Sequence, residues 1–237
     1  IALLDGEIDL AVHSCKDLPT DPVPGLTLAA FPRRADPRDT LVSRDGLRLA
    51  QLPAGAVVGT SSARRRAQLL RQRPDLQVAD IRGNVDTRLR KLRGGQYDAV
   101  ILAAAGLDRL GWLDRAIEVL EPEVMLPAPG QGALAIQARE DDDATLALLE
   151  PLNDAATQAV VTAERAFLRA LGGGCRVPIA AHAQVEDGWL VLHGLVASDD
   201  GLEHVQSRME GPVAESAAIG MRLADQLQGT GILEIGD

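Results

Sequence analysis

The chain has 237 residues, of which 46% are hydrophobic, so it is long enough for one to three domains with well-formed cores. It contains no apolar run of about 18 residues, and its start has neither the basic nor the apolar region of a signal peptide. Two cysteines and four histidines, without CxxC or HExxH spacing, argue against a disulfide framework and a zinc site. Membrane-spanning and secreted proteins are therefore disfavoured, and we expect a protein of the reducing cytoplasm.

The net charge of -10 argues against a nucleic-acid partner, but the charge is unevenly distributed. The stretch from Arg33 to Arg93 holds 15 Lys and Arg against 6 Asp and Glu, a net charge of +9, so the rest of the chain carries -19. A cationic segment of this kind is typical of a site for an anion, although a solvated arginine-rich surface would have the same composition.

The first forty residues predict two strands and a crossing between domains. An apolar run at residues 8–12 predicts a mostly buried strand that breaks into a polar segment at 13–19. A second apolar stretch at 26–31 predicts another strand. Pro37 then lies in a connector rich in arginine and aspartate, which we interpret as an interdomain crossing.

Strands and helices alternate between residues 41 and 126. Strands are predicted at 57–58, 76–81 and 99–102, and helices at 63–72, 87–93 and near Leu107. This alternation is typical of a parallel sheet covered by helices.

The remaining chain predicts a second crossing and a small α+β domain. The crossing is the Pro- and Gly-rich segment 126–132, and a strand follows at 133–137. Helical periodicity at 153–171 ends at three glycines, and strands are predicted at 179–185, 189–197 and 204–209. Pro212 is predicted in the first turn of a last helix that runs towards Leu227.

The loop of residues 57–66 is a candidate anion site. It joins a strand to a helix, where free backbone N–H groups and the positive end of the helix dipole attract anions. Arg64, Arg65 and Arg66 in the first turn would be repelled by that dipole unless an anion lies beside them. An ordinary N-cap at Ser62 followed by incidental arginines is the alternative.

A second strand-to-helix loop, residues 81–88, repeats this arrangement. Arg82 and Arg88 flank Asp86, which we predict to be the N-cap. Because both loops follow successive strands of one sheet, they should face one crevice. Arginine suits carboxylates, phosphate fits the spacing equally well, and the Gly-x-x-x-x-Gly-Lys-Ser/Thr pattern of a nucleotide loop is absent.

The segment after the first strand carries Ser14, Lys16 and Asp17. A carboxylate held among cations at the rim of a cleft can stabilise a cationic intermediate or transfer protons. A Lys-Asp surface pair is the alternative.

Cys175 follows three glycines and precedes Arg176. The glycines leave space for a bulky group and the guanidinium favours the thiolate, so a reactive thiol is expected here. An inert buried cysteine is the alternative, and Cys15 suits that role better.

Together these segments closely resemble the porphobilinogen deaminase (hydroxymethylbilane synthase) family over essentially the whole chain. The motifs that carry the resemblance are residues 11–19 (AVHSCKDLP), 36–39 (DPRD), 58–65 (VGTSSARR), 81–84 (IRGN), 130–133 (GQGA) and 173–178 (GGCRVP). Several long motifs in the family's order make coincidence negligible.

The resemblance implies an α/β fold with two lobes like those of periplasmic binding proteins and a small C-terminal α+β domain. Domain 1 would comprise residues 1–34 and 131–150, domain 2 residues 38–127, and the C-terminal cofactor-attachment domain residues 154–237. The family's reaction joins four porphobilinogen molecules, with loss of ammonia, into a linear tetrapyrrole that is released by hydrolysis. A cytoplasmic monomer that binds neither nucleic acid nor membranes is expected.

The resemblance also implies roles for residues. Asp17 resembles the catalytic carboxylate, which would stabilise the azafulvene cation left when ammonia departs. A dipyrromethane cofactor would be attached to Cys175 by a thioether. The other residues that resemble cofactor contacts are Ser14, Lys16, Thr60, Ser62, Arg64, Arg65 and Arg82, and those that resemble substrate contacts are Arg82, Arg88, Arg109 and Gln131.

One part of the family pattern is missing. The family's first segment, with a Thr-Arg-x-Ser stretch and a mobile loop over the cleft, has no counterpart before Ile1. We therefore expect the first lobe to lack an opening strand and helix, and this chain alone not to be fully active or stable.

Two classes of protein other than an enzyme share some of these sequence features. A non-catalytic two-lobed anion receptor would explain the arginine loops, but it leaves Cys175 and the third domain unexplained. A nucleic-acid-binding module is disfavoured because a chain that is only 2% aromatic offers few platforms for base stacking.

Overall fold

The structure is a computed structural model that describes residues 1–172 and 178–229. The strands are β1 (Leu10–Ser14), β2 (Leu26–Ala30), β3 (Asp39–Ser43), β4 (Val57–Gly59), β5 (Gln77–Ala79), β6 (Ala99–Ala103), β7 (Glu118–Leu120), β8 (Leu134–Arg139), β9 (Ile179–Glu186), β10 (Trp189–Ala197) and β11 (His204–Pro212). The helices are α1 (Ala63–Gln72), α2 (Val85–Arg93), α3 (Ala104–Asp108), α4 (Asp143–Leu149), α5 (Ala155–Ala170) and α6 (Ser216–Gln228). Within the described ranges the strands form three sheets.

The first sheet has the order β1-β8-β2, with both pairs antiparallel. Its middle strand comes last in sequence, so the chain leaves this sheet after β2 and returns to it at β8. The prediction of a mostly buried first strand is wrong in burial, because Leu10 and Val12 are 42% and 58% exposed. The alternation along β1 leaves one side of this edge strand open.

The second sheet has the order β5-β4-β6-β3-β7. The pairs β4–β5 and β4–β6 are parallel, as predicted, but β3 runs antiparallel to both of its neighbours. The prediction of a parallel sheet is therefore wrong at β3, a strand that the sequence did not predict. Three of the five residues of this strand are polar, Asp39, Thr40 and Ser43, yet all five are buried. The strand therefore lacks the apolar pattern by which a buried strand is recognised.

Helices cover both faces of the second sheet. Leu69 of α1 packs with residues of one face, and Leu89 and Leu92 of α2 pack with residues of the other. Each helix begins at a polar N-cap: Ser62 accepts a bond from Arg65 N, and Asn84 accepts one from Thr87 N. The prediction that Asp86 caps α2 is wrong by two residues, because the first turn begins earlier at Val85.

The third sheet is an antiparallel meander, β11-β10-β9, covered by α5 and α6. Phe167 of α5 and Leu223 of α6 are fully buried against it, so the α+β arrangement predicted for this part is confirmed. Pro212 does not lie in the first turn of the last helix. It ends β11, and a 3-10 turn, Val213–Glu215, separates it from α6.

The two crossings between the first and second sheets run side by side. Gly132 in the second crossing has φ +84°, and a Cβ built there would lie 2.6 Å from the carbonyl oxygen of Ala35 in the first. Ala35 N donates to Gly132 O across the same gap, at 3.2 Å. Only a glycine allows this approach, which brings the chain segments around residues 35 and 131 together.

A buried ion pair connects the crossings to the third sheet. Arg34 donates to both carboxylate oxygens of Glu164 on α5, at 2.8 and 3.0 Å, and its Nε donates to Gln131 O at 2.8 Å. Glu164 is fully buried and also accepts from Gly130 N and Ala183 N. Both crossings and the third sheet thus meet at one carboxylate. No helix in the described part of the chain has the length and apolarity needed to cross a membrane.

Candidate active site

A cleft opens where β4 and β5 end. The loops that follow these two strands are held together by Ser61, whose hydroxyl donates to Ile81 O at 2.8 Å and accepts from Ile81 N at 3.0 Å. Because the two strands are adjacent and parallel, both loops meet at the same edge of the sheet. The predicted convergence of the two loops is confirmed by this geometry.

The first sheet contributes the opposite wall. A 3-10 helix, Cys15–Asp17, follows β1 and places Lys16 and Asp17 in the cleft. Two adjoining cavities of about 730 and 330 Å³ share Lys16, Asp17, Ser61, Ser62, Arg64 and Ala128 as lining residues. Arg65, Arg88 and Gln131 complete the lining of the smaller cavity. The larger cavity reaches Leu168 of α5 and Ile179 of β9.

Asp39 lies beneath the arginines of the first loop. It is fully buried, and its Oδ1 accepts from Arg65 Nε and Nη2 at 3.1 and 2.7 Å, while Oδ2 lies 2.8 Å from Arg64 Nη2. The remaining Nη1 atoms of Arg64 and Arg65 donate to the carbonyl oxygens of Leu126 and Ile101. The charge that offsets Arg64 and Arg65 at the start of α1 is therefore the protein's own carboxylate. The sequence predicts a bound anion in this role, with an ordinary N-cap at Ser62 as the alternative, and Ser62 does cap the helix.

Gln131 connects the two walls of the cleft. Its Nε2 donates to Asp39 Oδ1 at 2.9 Å and to Pro37 O at 2.7 Å, and its Oε1 accepts from Lys16 Nζ at 3.3 Å. Lys16 thus points towards the second sheet. Asp17 is exposed and makes no hydrogen bond or ion pair with any described residue, so the alternative of a Lys16–Asp17 surface pair is not what the structure shows.

Burial and like charge perturb the ionisable groups of the cleft. Burial, with Arg65 adding to it, lowers the pKa of Lys16 to about 8. Burial also lowers the pKa of Arg88, as does the nearby Arg65. For Asp39, burial acts to raise the pKa, but Arg64 and Arg65 outweigh it and lower the value to about 2. The cleft therefore holds a fixed carboxylate under a set of crowded cations.

The structure brings together most of the residues predicted for the site and leaves others outside its cavities. Those that line the cleft are Lys16, Asp17, Ser62, Arg64, Arg65, Arg88 and Gln131. Ser14 ends β1 and lines neither cavity, and the buried Thr60 accepts a bond from Ser62 N at 3.2 Å. Arg82 is exposed, and Arg109 donates to Gly132 O at 3.1 Å. Cys175 lies outside the described residues.

Ser61 in the cleft and Asp39 beneath it have no role predicted from the sequence. Ser61 joins the two loops, and Asp39 joins Arg64, Arg65 and Gln131. Asp39 had one recognisable signal, its place at the end of the DPRD segment, where it is the second aspartate and the first residue of a strand. Its partners lie 26 and 92 residues further along the chain, beyond the reach of a local pattern.

Chemically, the cleft suits a ligand with several carboxylates. The N–H groups that the arginines of the two loops do not use within the protein can donate to ligand carboxylates, and Arg64 Nε is buried without a hydrogen-bond partner among the described residues. The unpaired carboxylate of Asp17 stands at the rim of this cationic surface. It can therefore face a positive charge that develops on a ligand whose own carboxylates are held by the arginines.

Comparison with known proteins gives two family matches. The model described as "Porphobilinogen deaminase, dipyromethane cofactor binding domain" matches residues 1–147, and the one described as "Porphobilinogen deaminase, C-terminal domain" matches residues 158–229. The boundary between the two matches falls between the last strand of the first sheet and the body of α5.

Curated relatives carry the same name over most of the chain. The porphobilinogen deaminase of Roseiflexus sp. (strain RS-1) is 56% identical over 227 residues, which is 95% of this chain and 74% of that protein. That of Thermus thermophilus is 52% identical over 235 residues, 99% of this chain and 78% of that protein. Among solved structures, the periplasmic aliphatic sulphonate-binding protein SsuA from Escherichia coli is 19% identical and covers 73% of this chain and 57% of that one, with a TM-score of 0.38.

Proposed function

Since this chain belongs to the porphobilinogen deaminase family, we propose that the cleft between the first and second sheets is where its reaction takes place. The activity is that of a hydroxymethylbilane synthase, a transferase of porphyrin and heme biosynthesis. It joins four molecules of porphobilinogen, with loss of ammonia, into the linear tetrapyrrole hydroxymethylbilane. The observation that carries the assignment to this cleft is the convergence of Arg64, Arg65, Arg88 and Lys16 with Asp17 around one cavity.

The cationic residues bind the carboxylates of the pyrroles. Each pyrrole of the substrate carries an acetate and a propionate, so the growing chain is a polyanion that needs a surface with many cations. The substrate contacts that we propose are Arg82, Arg88, Arg109 and Gln131. Arg88 and Gln131 line the smaller cavity. Arg82 belongs to the second loop, and Arg109 follows α3 and donates to Gly132 O in the second crossing.

The residues present fit the dipyrromethane cofactor of this family. The cavity of about 730 Å³ is lined by Lys16, Ser62 and Arg64, and the buried Arg64 Nε has no hydrogen-bond partner among the described residues. When bound, the cofactor supplies the nucleophilic pyrrole carbon to which the first substrate is joined. The residues that would hold it are Ser14, Lys16, Thr60, Ser62, Arg64, Arg65 and Arg82, with Cys175 as the point of attachment.

Attachment at Cys175 is supported by residues that come before and after it in the chain. Leu168 precedes the segment in sequence and Ile179 follows it, and both line the larger cavity together with Lys16 and Arg64. Cys15, the other cysteine, is buried, and burial raises the pKa of its thiol, so it is a poor nucleophile.

Asp17 acts as the catalytic carboxylate. As ammonia leaves porphobilinogen, positive charge develops on the pyrrole, and a carboxylate fixed at that point lowers the barrier without reorganisation of solvent. The exposed, unpaired side chain of Asp17 is free to take this position. It can also carry a proton between the leaving amine and the cleft.

Domain limits, assembly state and location complete the proposal. Domain 1 comprises residues 1–34 and 131–150, domain 2 residues 38–127 and the C-terminal domain residues 154–237, in keeping with the membership of the three sheets. We propose a monomer that works in the cytoplasm and requires neither nucleic acid nor a membrane.

The intact mass of the purified protein tests the attachment site. The parent and Cys15→Ser should carry an adduct of two pyrrole units, whereas Cys175→Ser should lack it and form no hydroxymethylbilane, because the thiol of Cys15 is buried and its raised pKa makes it a poor nucleophile. Cys15→Ser is the matched control. An active protein with unmodified Cys175 would overturn the assignment.

A further inference from the structure

Asp39 makes contacts that none of the roles above uses. It is the first residue of β3 and is 0% exposed. Its carboxylate oxygens lie 2.7 to 3.1 Å from side-chain nitrogen atoms of Arg64, Arg65 and Gln131. These three side chains all line the cleft, although Asp39 itself does not.

The burial of this carboxylate costs free energy, so stability alone does not explain why it stands here. Burial of an ion pair costs several kcal/mol per ion, and replacement by apolar side chains is often as stable. Here the same pair fixes the orientation of two guanidinium groups, each of which is held at a second point by a backbone carbonyl oxygen, Leu126 O for Arg64 and Ile101 O for Arg65. Both arginines are therefore oriented before any ligand arrives.

The contacts of Asp39 continue across the cleft. Gln131 lies between Asp39 Oδ1 and Lys16 Nζ, with distances of 2.9 and 3.3 Å. Gln131 belongs to the second crossing and Lys16 to the segment after β1, so one carboxylate of the second sheet sets the position of a cation on the opposite wall.

We infer that Asp39 is the positioning residue of this cleft. Its carboxylate holds Arg64, Arg65 and Gln131 in the geometry that receives the pyrrole carboxylates, and its negative charge offsets the positive charge of Arg64 and Arg65 that faces Lys16. The inference rests on the proposed function of the cleft. It assigns Asp39 no contact with substrate.

The charge balance has a measurable consequence at Lys16. The groups that face Lys16 are Arg64 and Arg65, which lower the pKa of its amine, and Asp39 and Asp17, which raise it; burial and these charges together set the value at about 8. Removal of the charge of Asp39 disfavours the protonated amine, so the pKa of Lys16 falls. An activity that needs protonated Lys16 is then lost at a lower pH.

The test compares Asp39→Asn with Asp39→Glu in purified, cofactor-loaded protein, with porphobilinogen as substrate. Asp39→Asn should lower kcat/KM by about tenfold to a hundredfold, mainly by raising KM, because the arginines lose the paired acceptor that orients them. Its alkaline limb of activity should also move to lower pH. Asp39→Glu keeps the charge and should keep the alkaline limb of the parent, with a raised KM because its carboxylate lies about one methylene away.

Glu164→Gln is the matched control, since Glu164 is an equally buried carboxylate with an arginine partner but is not among the charges that act on Lys16. It should lose thermal stability and leave the alkaline limb unchanged. A folded Asp39→Asn variant with the KM and pH profile of the parent, or with tighter binding of porphobilinogen, would overturn the inference. If Asp39→Asn fails to fold, parent kinetics in Asp39→Glu would overturn it. A parent that forms no hydroxymethylbilane counts against the proposed function instead.

Discussion

At the scale of the residue, the cleft separates side chains that build it from one that is free to react. Arg64 and Arg65 are each about 5% exposed and are bound to Asp39, so they contribute to the fold as well as to binding. Asp17 is exposed and pairs with no described residue. A free carboxylate beside oriented cations is available for chemistry, because its charge is not neutralised within the protein.

Replacement of Asp17 should separate catalysis from folding. Asp17→Asn should leave the thermal midpoint and the cofactor mass unchanged, since exposed positions shift stability by about 0.5 kcal/mol or less, yet reduce turnover by about a hundredfold or more because the charge is lost. Asp17→Glu should retain measurable turnover and accumulate enzyme-bound intermediates visible by intact mass. Parent-like turnover in Asp17→Asn would mean that another group serves as the catalytic carboxylate.

At the scale of the element, the two crossings set the distance between the walls of the cleft. Ala35 and Gly132 approach too closely for a side chain at position 132, and Gln131, the neighbour of that glycine, carries the bond to Lys16. A change in the backbone at Gly132 would therefore move the adjacent Gln131 and its bond to Lys16.

Gly132→Ala should destabilise the protein and loosen the site. The substitution adds left-handed strain of about 1–2 kcal/mol and about 1–3 kcal/mol of overpacking against Ala35 O. Gly111→Ala is the control, because Gly111 has a similar φ of +67° with nothing within 4 Å of an added Cβ. Urea denaturation should show the larger loss for Gly132→Ala, accompanied by a raised KM for porphobilinogen. Equal losses in the two variants would show that the close approach carries no cost.

At the scale of the whole molecule, Glu164 joins the third sheet to the two crossings that connect the first and second sheets. Its carboxylate is completely buried and is shared by Arg34, Gly130 N and Ala183 N. Loss of the arginine would leave a buried charge with backbone donors alone, which is strongly destabilising. The third unit, which consists of the third sheet with α5 and α6, should then lose its coupling to the first and second units, which are built on the first and second sheets.

Arg34→Leu should lower the free energy of unfolding by about 3–5 kcal/mol. The chain has two tryptophans, Trp112 in the second unit and Trp189 in the third, so single-tryptophan versions with the other residue replaced by Phe report each unit by fluorescence. The two urea transitions should coincide in the parent and separate in Arg34→Leu. Arg208→Leu, which removes an exposed pair with Glu210, is the control and should change stability by about 1 kcal/mol or less. A parent-like transition in Arg34→Leu would show that the pair does not couple the units.

Much of the fold was predictable because its signals are local. The strands β4 and β6, the helices α1 and α5 and the two crossings follow from periodicity and from Pro and Gly punctuation within about ten residues. The errors arise because a local signal can fit two neighbouring positions or two kinds of element equally well. The cap of α2 was misplaced because Asn84 and Asp86 both suit a cap, and Pro212 was placed in a helix because it suits a strand end as well as a first turn.

The sequence alone determined the chemistry of the loops: arginines at two strand ends, a carboxylate after β1 and a cysteine after a glycine run, each a set of neighbours in the chain. Only the tertiary structure decided which charges meet. Asp39 finds Arg65 26 residues away, and Arg34 finds Glu164 across 130 residues, because packing of whole sheets, and not local pattern, brings such partners together. The direction of β3 belongs to the same class, since a short buried strand takes its orientation from the neighbours with which it pairs.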